Sequence, residues 1–518
     1  MQSLTPSTTT TRHRAVLAVT CLALATVVAA VASLNVALPS LARDTRASQT
    51  QLSWVIDAYA LVFAALLLLG GAIGDRYGRR RALLAGLTIF ATGSVAAMSV
   101  SSADALIAMR AILGLGAALV MPATLSTITS TFPREQRARA IGVWAGVAGG
   151  SAILGLLTSG LLLEQWSWRS VFALNIVLAI AAILGTLRVV PESADPAAPR
   201  LDAIGAVITV VGLGALVYSI IEAPNAGWAS ARTLVGISAG LAVLAAFVGW
   251  ELTRANPLLD PRLFRHRAFT AGTLSLTVQF FAFFGFIFLV LQYLQLVRGD
   301  SPLVAALSLI PMALTLMPSS RGAAHLAARL GNRRVCVAGL VLLTGALVVL
   351  AQLDGNSSYW LLLCGLVPLG AGMGLAMTPA TTAVTGALPQ AQQGVGSAMN
   401  DLARELGGAL GIAVLGSVLQ STYRNHLHLS GLPQPLADKA RSSLALASRL
   451  GEPVTRHAQA AFVDGMQSAL LCAAAAVAAA AIAVAVLLRG SESEESGLEL
   501  SGDGRRAEQG LQVTHEAG

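Results

Sequence analysis

Five ionisable side chains lie inside long apolar segments of this 518-residue chain, where a charge is costly. Asp57 lies in the second apolar segment and Arg110 in the fourth, while Asp401, Arg404 and Glu405 share the thirteenth. Placing a charge in hydrocarbon costs about 2.5–3.5 kcal/mol on insertion scales, so such residues usually serve proton, ion or substrate pathways. We therefore predict that these five side chains couple proton movement to the movement of a solute.

Each of these residues also has a structural explanation, which the sequence alone leaves open. Asp57 could be an interfacial carboxylate that reaches water, and Arg110 could extend its long side chain to the same interface. Asp401 and Arg404 are three residues apart and could neutralise each other on one helix face. Glu405 would then stay unpaired nearer the bilayer midplane, which makes it the best candidate to load and release a proton.

The composition indicates an integral membrane protein. Hydrophobic residues make up 55% of the chain and charged residues 12%, which is about half the charged fraction of a soluble domain. The net charge of +8 comes from arginines, with Lys439 the only lysine. Because these arginines lie in short loops between apolar segments, they indicate membrane topology and not nucleic-acid binding. The cysteines lack disulfide spacing and are expected to be free thiols.

Fourteen apolar segments are long enough to cross a bilayer as helices. They run over residues 15–38, 52–74, 82–101, 105–130, 139–163, 170–189, 202–222, 232–252, 268–292, 302–319, 334–353, 359–385, 396–420 and 464–488. An even number puts both termini on one side, and the excess of arginine in alternate loops predicts that this side is the cytoplasm. Pro311 and Pro318 are expected to kink the tenth segment without abolishing it.

Three stretches are predicted to lie outside the membrane. Residues 1–14 form a cytoplasmic tail, and residues 423–463 form an outer loop with a surface helix near residues 437–450. Residues 489–518 are acidic and rich in Gly and Ser, so a disordered cytoplasmic tail is expected there.

A tight, arginine-rich turn joins the second and third segments. It contains Gly71, Gly74, Asp75, Arg76, Gly78, Arg79, Arg80 and Arg81. Glycine suits a turn in which two helix ends crowd together, and Asp75 is expected to cap one of those ends. Residues 328–334, between the tenth and eleventh segments, repeat this pattern weakly, which indicates a duplicated transporter with two six-helix halves.

The pattern Gly-x-x-Gly-Asp-Arg-x-Gly-Arg-Arg in this turn resembles the helix 2–helix 3 signature of the major facilitator superfamily. The segments around Asp57 and Asp401 resemble those of its fourteen-helix drug:proton antiporters, which include quaternary-ammonium exporters. This resemblance implies an all-α fold of two six-helix bundles, at 15–190 and 268–488, with two inserted helices at 202–252. It also implies that the turn at 71–81 latches the two halves together, that Arg110 handles protons, and that an acid near Asp401 recognises cationic drugs.

Two positions depart from the family's pattern. Ala30 stands where the first helix usually carries an acid, and Leu156 stands where the fifth helix usually carries a proline. The carboxylates that carry protons must therefore be sought among Asp57, Asp401 and Glu405.

These observations predict a proton-coupled exporter of amphipathic drugs or antibiotics in the cell membrane, with an uptake permease of the same fold as the alternative. The ninth segment has six phenylalanines within nine residues, and planar drugs could stack on their rings. The candidate drug pocket comprises Phe280, Phe284, Gln279 and Gln292.

The sequence contains no clustered catalytic or metal-binding set and no nucleotide-binding Gly-x-x-x-x-Gly-Lys motif. We therefore expect that the protein is not an enzyme and uses no metal or cofactor, the proton gradient being its energy source. The expected partners are a small-molecule substrate, protons and the lipid bilayer, and no binding of nucleic acid is expected. The transporter is expected to be a monomer.

Overall fold

The structure is a computed structural model that describes residues 6–195, 202–255, 257–388, 393–429 and 433–515. Side chains are described in these ranges except at residues 6–11, 134, 135, 138, 393–395, 397 and 490–515. Within these ranges every regular element is helical, and 14 helical spans are long and apolar enough to cross a membrane. The predicted all-α membrane fold and its number of spans are confirmed.

The first six helices pack into an amino-terminal bundle. They are α1 (Pro6–Thr45), α2 (Gln49–Tyr77), α3 (Arg79–Ser99), α4 (Ala103–Thr131), α5 (Arg134–Gln165) and α6 (Ser170–Val189). Small residues allow close helix approach, as is common between membrane helices. Gly70 of α2 lies against the backbone of Ala118 in α4, and Gly86 of α3 lies against Gly116 of α4.

We expect Gly70→Ala to destabilise this bundle, because the added methyl group would overlap the carbonyl oxygen of Ala118. Such overpacking costs about 1–3 kcal/mol, so the purified variant should melt at a lower temperature than the parent. Gly142→Ala on α5 is the matched control, since nothing lies within 4 Å of a methyl group added there. Equal melting temperatures for the two variants would contradict this packing.

Two inserted helices, α7 (Ala203–Ala226) and α8 (Ala231–Leu252), follow the first bundle. Helix α7 packs against α2, where Leu61 joins an apolar cluster with α7 side chains. It is also hydrogen-bonded to the thirteenth span. The Ser417 hydroxyl donates to the Ile220 carbonyl at 2.7 Å, and Arg424 Nη1 donates to Asn225 Oδ1 at 2.6 Å. The inserted pair therefore covers part of the boundary between the two halves.

The remaining spans form a carboxy-terminal bundle. Its helices are α9 (Arg267–Gln292), α10 (Pro302–Leu307), α11 (Ile310–Leu330), α12 (Asn332–Leu350), α13 (Tyr359–Gly386), α14 (Gln393–His426) and α17 (Glu452–His515). A 3-10 turn, Pro261–Arg265, precedes α9, and a π turn, Tyr293–Val297, extends it. The tenth span is divided into α10 and α11 just before Pro311, while α11 continues through Pro318.

The connection between the last two spans is shorter than predicted. Helix α14 continues to His426 and α17 begins at Glu452, so the predicted loop at 423–463 is wrong at both ends. Residues 452–463 are amphipathic and bury Ala458 and Phe462 against the bundle, so their polar residues do not mark a loop. The short helices α15 (Gln434–Ser442) and α16 (Leu444–Ala447) lie where a surface helix was predicted.

The carboxy-terminal segment also differs from its prediction. The backbone of α17 is helical to His515, whereas a disordered tail was expected from residue 489. The segment contains several Glu and Leu residues, which favour helix, among the glycines that suggested disorder. Residues 516–518 and residues 1–5 of the predicted amino-terminal tail lie outside the described residues.

The two arginine-rich turns have the same backbone geometry. Gly78 separates α2 from α3 with φ +117°, and Gly331 separates α11 from α12 with φ +87°. Each glycine donates its amide to the carbonyl four residues earlier, at 3.0 Å to Gly74 and at 2.9 Å to Ala327. Positive φ values favour glycine. The structure thus supports the internal repeat that the sequence indicates.

The two bundles contact each other mainly at one end, which we call the closed end. Gln295 Nε2 donates to the Val36 carbonyl at 3.0 Å, and the Leu303 amide donates to Glu164 Oε1 at 3.3 Å. Gly160 of α5 also lies against the backbone of Leu303. Both of these hydrogen bonds between the bundles lie at the closed end, and we call the opposite end, which carries Gly78 and Gly331, the open end.

Candidate functional site

Asp401, Arg404 and Glu405 lie in the amino-terminal half of α14, at the boundary between the bundles. Asp401 Oδ1 is 3.7 Å from Arg404 Nη1, and the Arg404 guanidinium lies 4.7 Å from the centre of the Phe280 ring. Asp401 and Glu405 are both partly exposed. The predicted Asp401–Arg404 pair is present, and no hydrogen bond or ion pair within the usual distance limits is described for the Glu405 carboxyl. A partly exposed acid without a fixed partner is suited to binding and releasing a proton.

Arg110 is buried inside the amino-terminal bundle, so its side chain does not extend to the membrane–water interface. Its side chain is 1% exposed, Nε donates to the Val55 carbonyl at 2.8 Å, and the guanidinium lies 4.4 Å from the centre of the Tyr59 ring. The explanation of Arg110 as an interfacial arginine is therefore wrong. The carbonyl and the ring together compensate part of the cost of burying its charge.

Asp57 is the most enclosed acid of the site. Its side chain is 0% exposed, and neither carboxylate oxygen has a hydrogen-bond partner among the described residues. One turn nearer the closed end, Ser53 lies against Gly416 of α14, where the two bundles meet. Asp57 is therefore not an interfacial carboxylate in this state. A buried carboxyl without a partner is far less costly with a bound proton than as a charge.

Tyr59 is a residue of this site that the sequence analysis did not single out. It is fully buried, and the centre of its ring lies 4.4 Å from the Arg110 guanidinium. Its hydroxyl has no hydrogen-bond partner among the described residues. The sequence contained one usable signal, because a buried arginine requires partners and Tyr59 lies one helical turn after Val55, which accepts from Arg110.

The predicted drug-pocket residues on α9 fall into two groups. The rings of Phe280 and Phe284 are 6.0 Å apart, and Phe284 is partly exposed and lies against Gly408 of α14. Gln279 and Gln292 are almost fully buried, and both amides donate to carbonyls of α9 itself. The two rings therefore lie beside the boundary with α14, whereas both glutamines are enclosed within the carboxy-terminal bundle.

The arginine-rich turn is bonded to the segment that follows α6. The Arg79 amide donates to the Ser193 carbonyl at 2.9 Å, and the Arg80 amide donates to Glu192 Oε1 at 3.2 Å. Asp75 Oδ1 accepts from both Arg79 Nε and Nη2 at 2.9 Å. Asp75 therefore pairs with Arg79 and does not cap a helix, because Gly78, which has no side chain, is the residue that precedes α3.

The other turn residues pack locally. A Cβ at Gly71 would lie 3.4 Å from Pro122 of α4, and one at Gly74 would lie 3.5 Å from Ala82 of α3. The Arg76 guanidinium is 5.9 Å from the centre of the Tyr77 ring. The described bonds of Asp75, Arg79 and Arg80 all stay within the amino-terminal half. The latch between the halves that the resemblance implies remains a prediction.

Helix α5 packs closely on α1 although the usual proline is absent at Leu156. Gly155 lies against the Ala29 backbone, and the Ser159 hydroxyl donates to the Ser33 carbonyl at 2.7 Å. Ala30, at the position of the usual acid, is buried.

A metal site was not expected from the sequence. In the part of the chain that the structure describes, no three His, Cys, Asp or Glu side chains are grouped so that they could hold a metal ion. The expectation that transport needs no metal or cofactor stays a prediction.

The chain belongs to the Major Facilitator Superfamily, whose family model matches residues 20–412. It is therefore a multi-pass membrane transporter and not an enzyme. It is 34% identical over 461 residues to the multidrug resistance protein Stp of Mycobacterium tuberculosis, covering 85% of this chain and 86% of that protein. It is 33% identical over 469 residues to the multidrug efflux pump LfrA of Mycolicibacterium smegmatis, covering 90% of this chain and 93% of that protein.

A solved structure shows the same fold at low sequence identity. The inward-facing, unoccupied structure of a bacterial homologue of the human lysosomal transporter Spinster matches with a TM-score of 0.67 and 16% identity. The match covers 94% of this chain and 98% of that one.

Proposed function

We propose that this protein exports amphipathic drugs or antibiotics across the cell membrane in exchange for protons. The observation that carries the proposal is the placement of the acids relative to the two ends of the molecule. Asp401 and Glu405 are partly exposed at the boundary between the bundles, whereas Asp57 is enclosed beneath the closed end. A transporter that opens its two ends in turn would expose these acids to water on different sides of the membrane.

Two further observations support export. The relatives Stp and LfrA are named for multidrug resistance and multidrug efflux, and the match extends over more than four fifths of this chain. The aromatic rings of Phe280 and Phe284 lie beside the Asp401–Arg404 pair, so an apolar surface and a charged pair adjoin. An amphipathic molecule could stack on the rings while its polar group approaches the carboxylates.

We propose that the open end faces the cytoplasm and that both termini lie there. The support is charge, because the open end carries the arginine-rich turns around Gly78 and Gly331, and short loops rich in arginine stay on the cytoplasmic side. With this orientation the structure is in an inward-open state. Asp57 is then closed off from the outer water by the contacts between α2 and α14.

Cysteine labelling tests this orientation. In a variant without the four native cysteines, Gln434→Cys on α15 should react with a membrane-impermeant thiol reagent added to intact cells. Ala194→Cys, after α6, should react only when the membrane is opened. Both positions are exposed to solvent, so accessibility within the protein does not limit either reaction. The reverse labelling pattern would contradict the orientation.

Drug export can be tested by expressing the protein in a bacterium that lacks its own major pumps. Cells should tolerate more ethidium, quaternary ammonium compounds or polyketide antibiotics, and an uncoupler should remove the protection. If expression made cells more sensitive to these compounds, the alternative of a proton-coupled uptake permease would be favoured. We further propose that the transporter works as a monomer, powered by the proton gradient without a cofactor.

A further inference from the structure

We propose that a cavity at the closed end binds a phosphate group between Arg43 and Arg449 and thereby holds the two halves of the transporter together. The inference goes beyond drug export, because it does not depend on which solute is carried. Three observations carry it, namely the charge of the cavity, the lack of acidic partners for both arginines, and their origin in different halves of the molecule.

The cavity lies where α1 ends and has a volume of about 340 Å³. Three arginines, Arg43, Arg169 and Arg449, line it together with Asp44, Trp168 and two serines. Three arginines and one aspartate leave an excess of two positive charges. The volume falls within the range of about 300–1,000 Å³ that is usual for small-molecule sites. The cavity is therefore large enough for a small anion and has the charge to attract one.

The single acid of the cavity already has partners. Asp44 Oδ2 accepts from Trp168 Nε1 at 2.7 Å and from Arg169 Nη1 at 2.9 Å. Arg169 also donates to the carbonyls of Met98 and Val100. Asp44 and Arg169 therefore neutralise each other and form a fixed wall of the cavity, and the positive excess belongs to the other two arginines.

Arg43 and Arg449 are exposed and lack such partners. Neither side chain has a hydrogen bond or an ion pair within the usual distance limits among the described residues. The carbonyl end of α1 accounts for one cation there, since a basic residue in the last turn of a helix is favourable, but not for a second. Two like charges that line one small cavity repel each other, so the arrangement favours a bound anion. Each guanidinium offers five N–H donors in a planar fork, which suits the oxygens of a phosphate group.

The two arginines come from different halves of the molecule. Arg43 lies in the last turn of α1, whereas Arg449 lies between α16 and α17, and α1 packs against α16. A phosphate bound by both would add bonds across the closed end to the bond between Gln295 and Val36. At least one arginine must leave the phosphate when this end opens. Bound phosphate would therefore favour the state in which the closed end is shut.

The phosphate group can come from two sources. The cavity lies at the end of the first membrane span, which is the level of lipid headgroups, so the phosphodiester of a lipid can enter it. Its exposed arginines are also open to water, so free phosphate can reach them. Both sources present the same chemical group, and the experiments below distinguish them.

Phosphate binding to the purified protein in a neutral glycoside detergent tests the proposal. Inorganic phosphate at constant ionic strength should raise the melting temperature of the parent. In Arg43→Gln and in Arg449→Gln, the dissociation constant from calorimetry should rise about tenfold or more, because each variant loses hydrogen bonds to a charged group. Without phosphate, both variants should melt at or above the temperature of the parent, because one of two repelling charges is gone. Arginines with a structural role would give lower melting temperatures.

Arg46→Gln is the matched control. It removes one positive charge from the same end of α1, but Arg46 does not line the cavity. This variant should bind phosphate as the parent does. A loss as large as that in Arg43→Gln would show an effect of overall charge and would contradict the site.

Two lipid environments separate the sources. The protein is placed in vesicles of phosphatidylglycerol or of a phosphate-free galactolipid. Stabilisation by phosphatidylglycerol that Arg43→Gln and Arg449→Gln both lose would assign the site to a lipid phosphodiester. Stabilisation by inorganic phosphate in the galactolipid, lost in the same variants, would assign it to a soluble phosphate.

Spin labels test whether the phosphate holds the two halves together. In a variant without the native cysteines, labels are attached at Ser101→Cys and Gln434→Cys, which are exposed at the closed end in opposite halves. The phosphate source that stabilises the parent should shift the distance distribution towards the shorter, shut distance. Arg449→Gln should remove this shift.

The outcomes that would overturn the proposal are independent of drug transport. Equal phosphate affinity in the parent and both arginine variants, or no stabilisation by either source, would contradict the site. Binding that leaves the distance distribution unchanged would contradict its role across the two halves. A parent protein that exports no drug would overturn the proposed function and leave these measurements unaffected.

Discussion

Replacing Glu405 by glutamine should abolish drug-driven proton movement and leave a folded protein in the membrane. Glutamine has nearly the shape of glutamate but cannot bind and release a proton at any accessible pH. Glu405 is partly exposed and has no hydrogen bond among the described contacts, so the substitution should not cost much stability. Removing a group that transfers protons typically costs a hundredfold or more in rate. We expect a loss of about that size in proteoliposomes loaded with a pH-sensitive dye.

The control for this experiment is Glu452→Gln. Glu452 lies at the start of α17, and its carboxylate is 3.7 Å from Arg456 on an exposed surface. This variant should transport as the parent does. If Glu405→Gln pumped normally with an unchanged pH dependence, Glu405 would be structural, and the Asp401–Arg404 pair and Asp57 would remain as the candidate proton sites.

Replacing Asp75 by asparagine should remove most transport although the protein still reaches the membrane. The Asp75–Arg79 pair is partly exposed, with the Asp75 side chain 43% exposed, and pairs of this kind contribute only about 0–1 kcal/mol to stability. A large loss of transport by protein that is still folded would therefore need another cause. It would mean that the turn stabilises one of the two states between which the bundles rock.

Membrane level, melting temperature and ethidium efflux should be measured on the same preparation of Asp75→Asn. Asp438→Asn is a suitable control, because Asp438 also pairs with an arginine on its own helix, Arg441 at 3.7 Å, but lies on the short helix α15. Normal efflux by Asp75→Asn would refute the role of the turn as a latch. A lower melting temperature with proportionally lower efflux would point to an ordinary structural pair.

The features that depend on local sequence were predictable. The lengths of the apolar segments alone predicted the number of membrane spans. The spacing of glycine and arginine predicted both turns between helices. In these turns Gly78 and Gly331 adopt positive φ values, which glycine tolerates more easily than other residues. Asp57, Arg110 and Glu405 were found because charge is rare in hydrophobic segments. Each of these signals is contained within about 20 neighbouring residues.

The features that depend on distant contacts were not predictable. The start of α17 was missed because residues 452–463 bury only one face, and the burial of Gln279 and Gln292 depends on how α9 rotates within its bundle. Asp57 is enclosed near α14, where Ser53, one turn before Asp57, contacts Gly416, and these two residues are more than 350 positions apart in the sequence. Periodicity and composition carry no information about such pairs.

Exchange in proteoliposomes that contain only the purified protein tests the central claim most directly. An inward-directed proton gradient is imposed, and the movement of ethidium is followed by its fluorescence on encapsulated DNA. The account predicts that ethidium leaves the vesicles as protons enter, that collapsing the gradient stops this efflux, and that an ethidium gradient alone moves protons in the opposite direction. Movement of ethidium in the same direction as the protons, or efflux that is indifferent to the gradient, would contradict it.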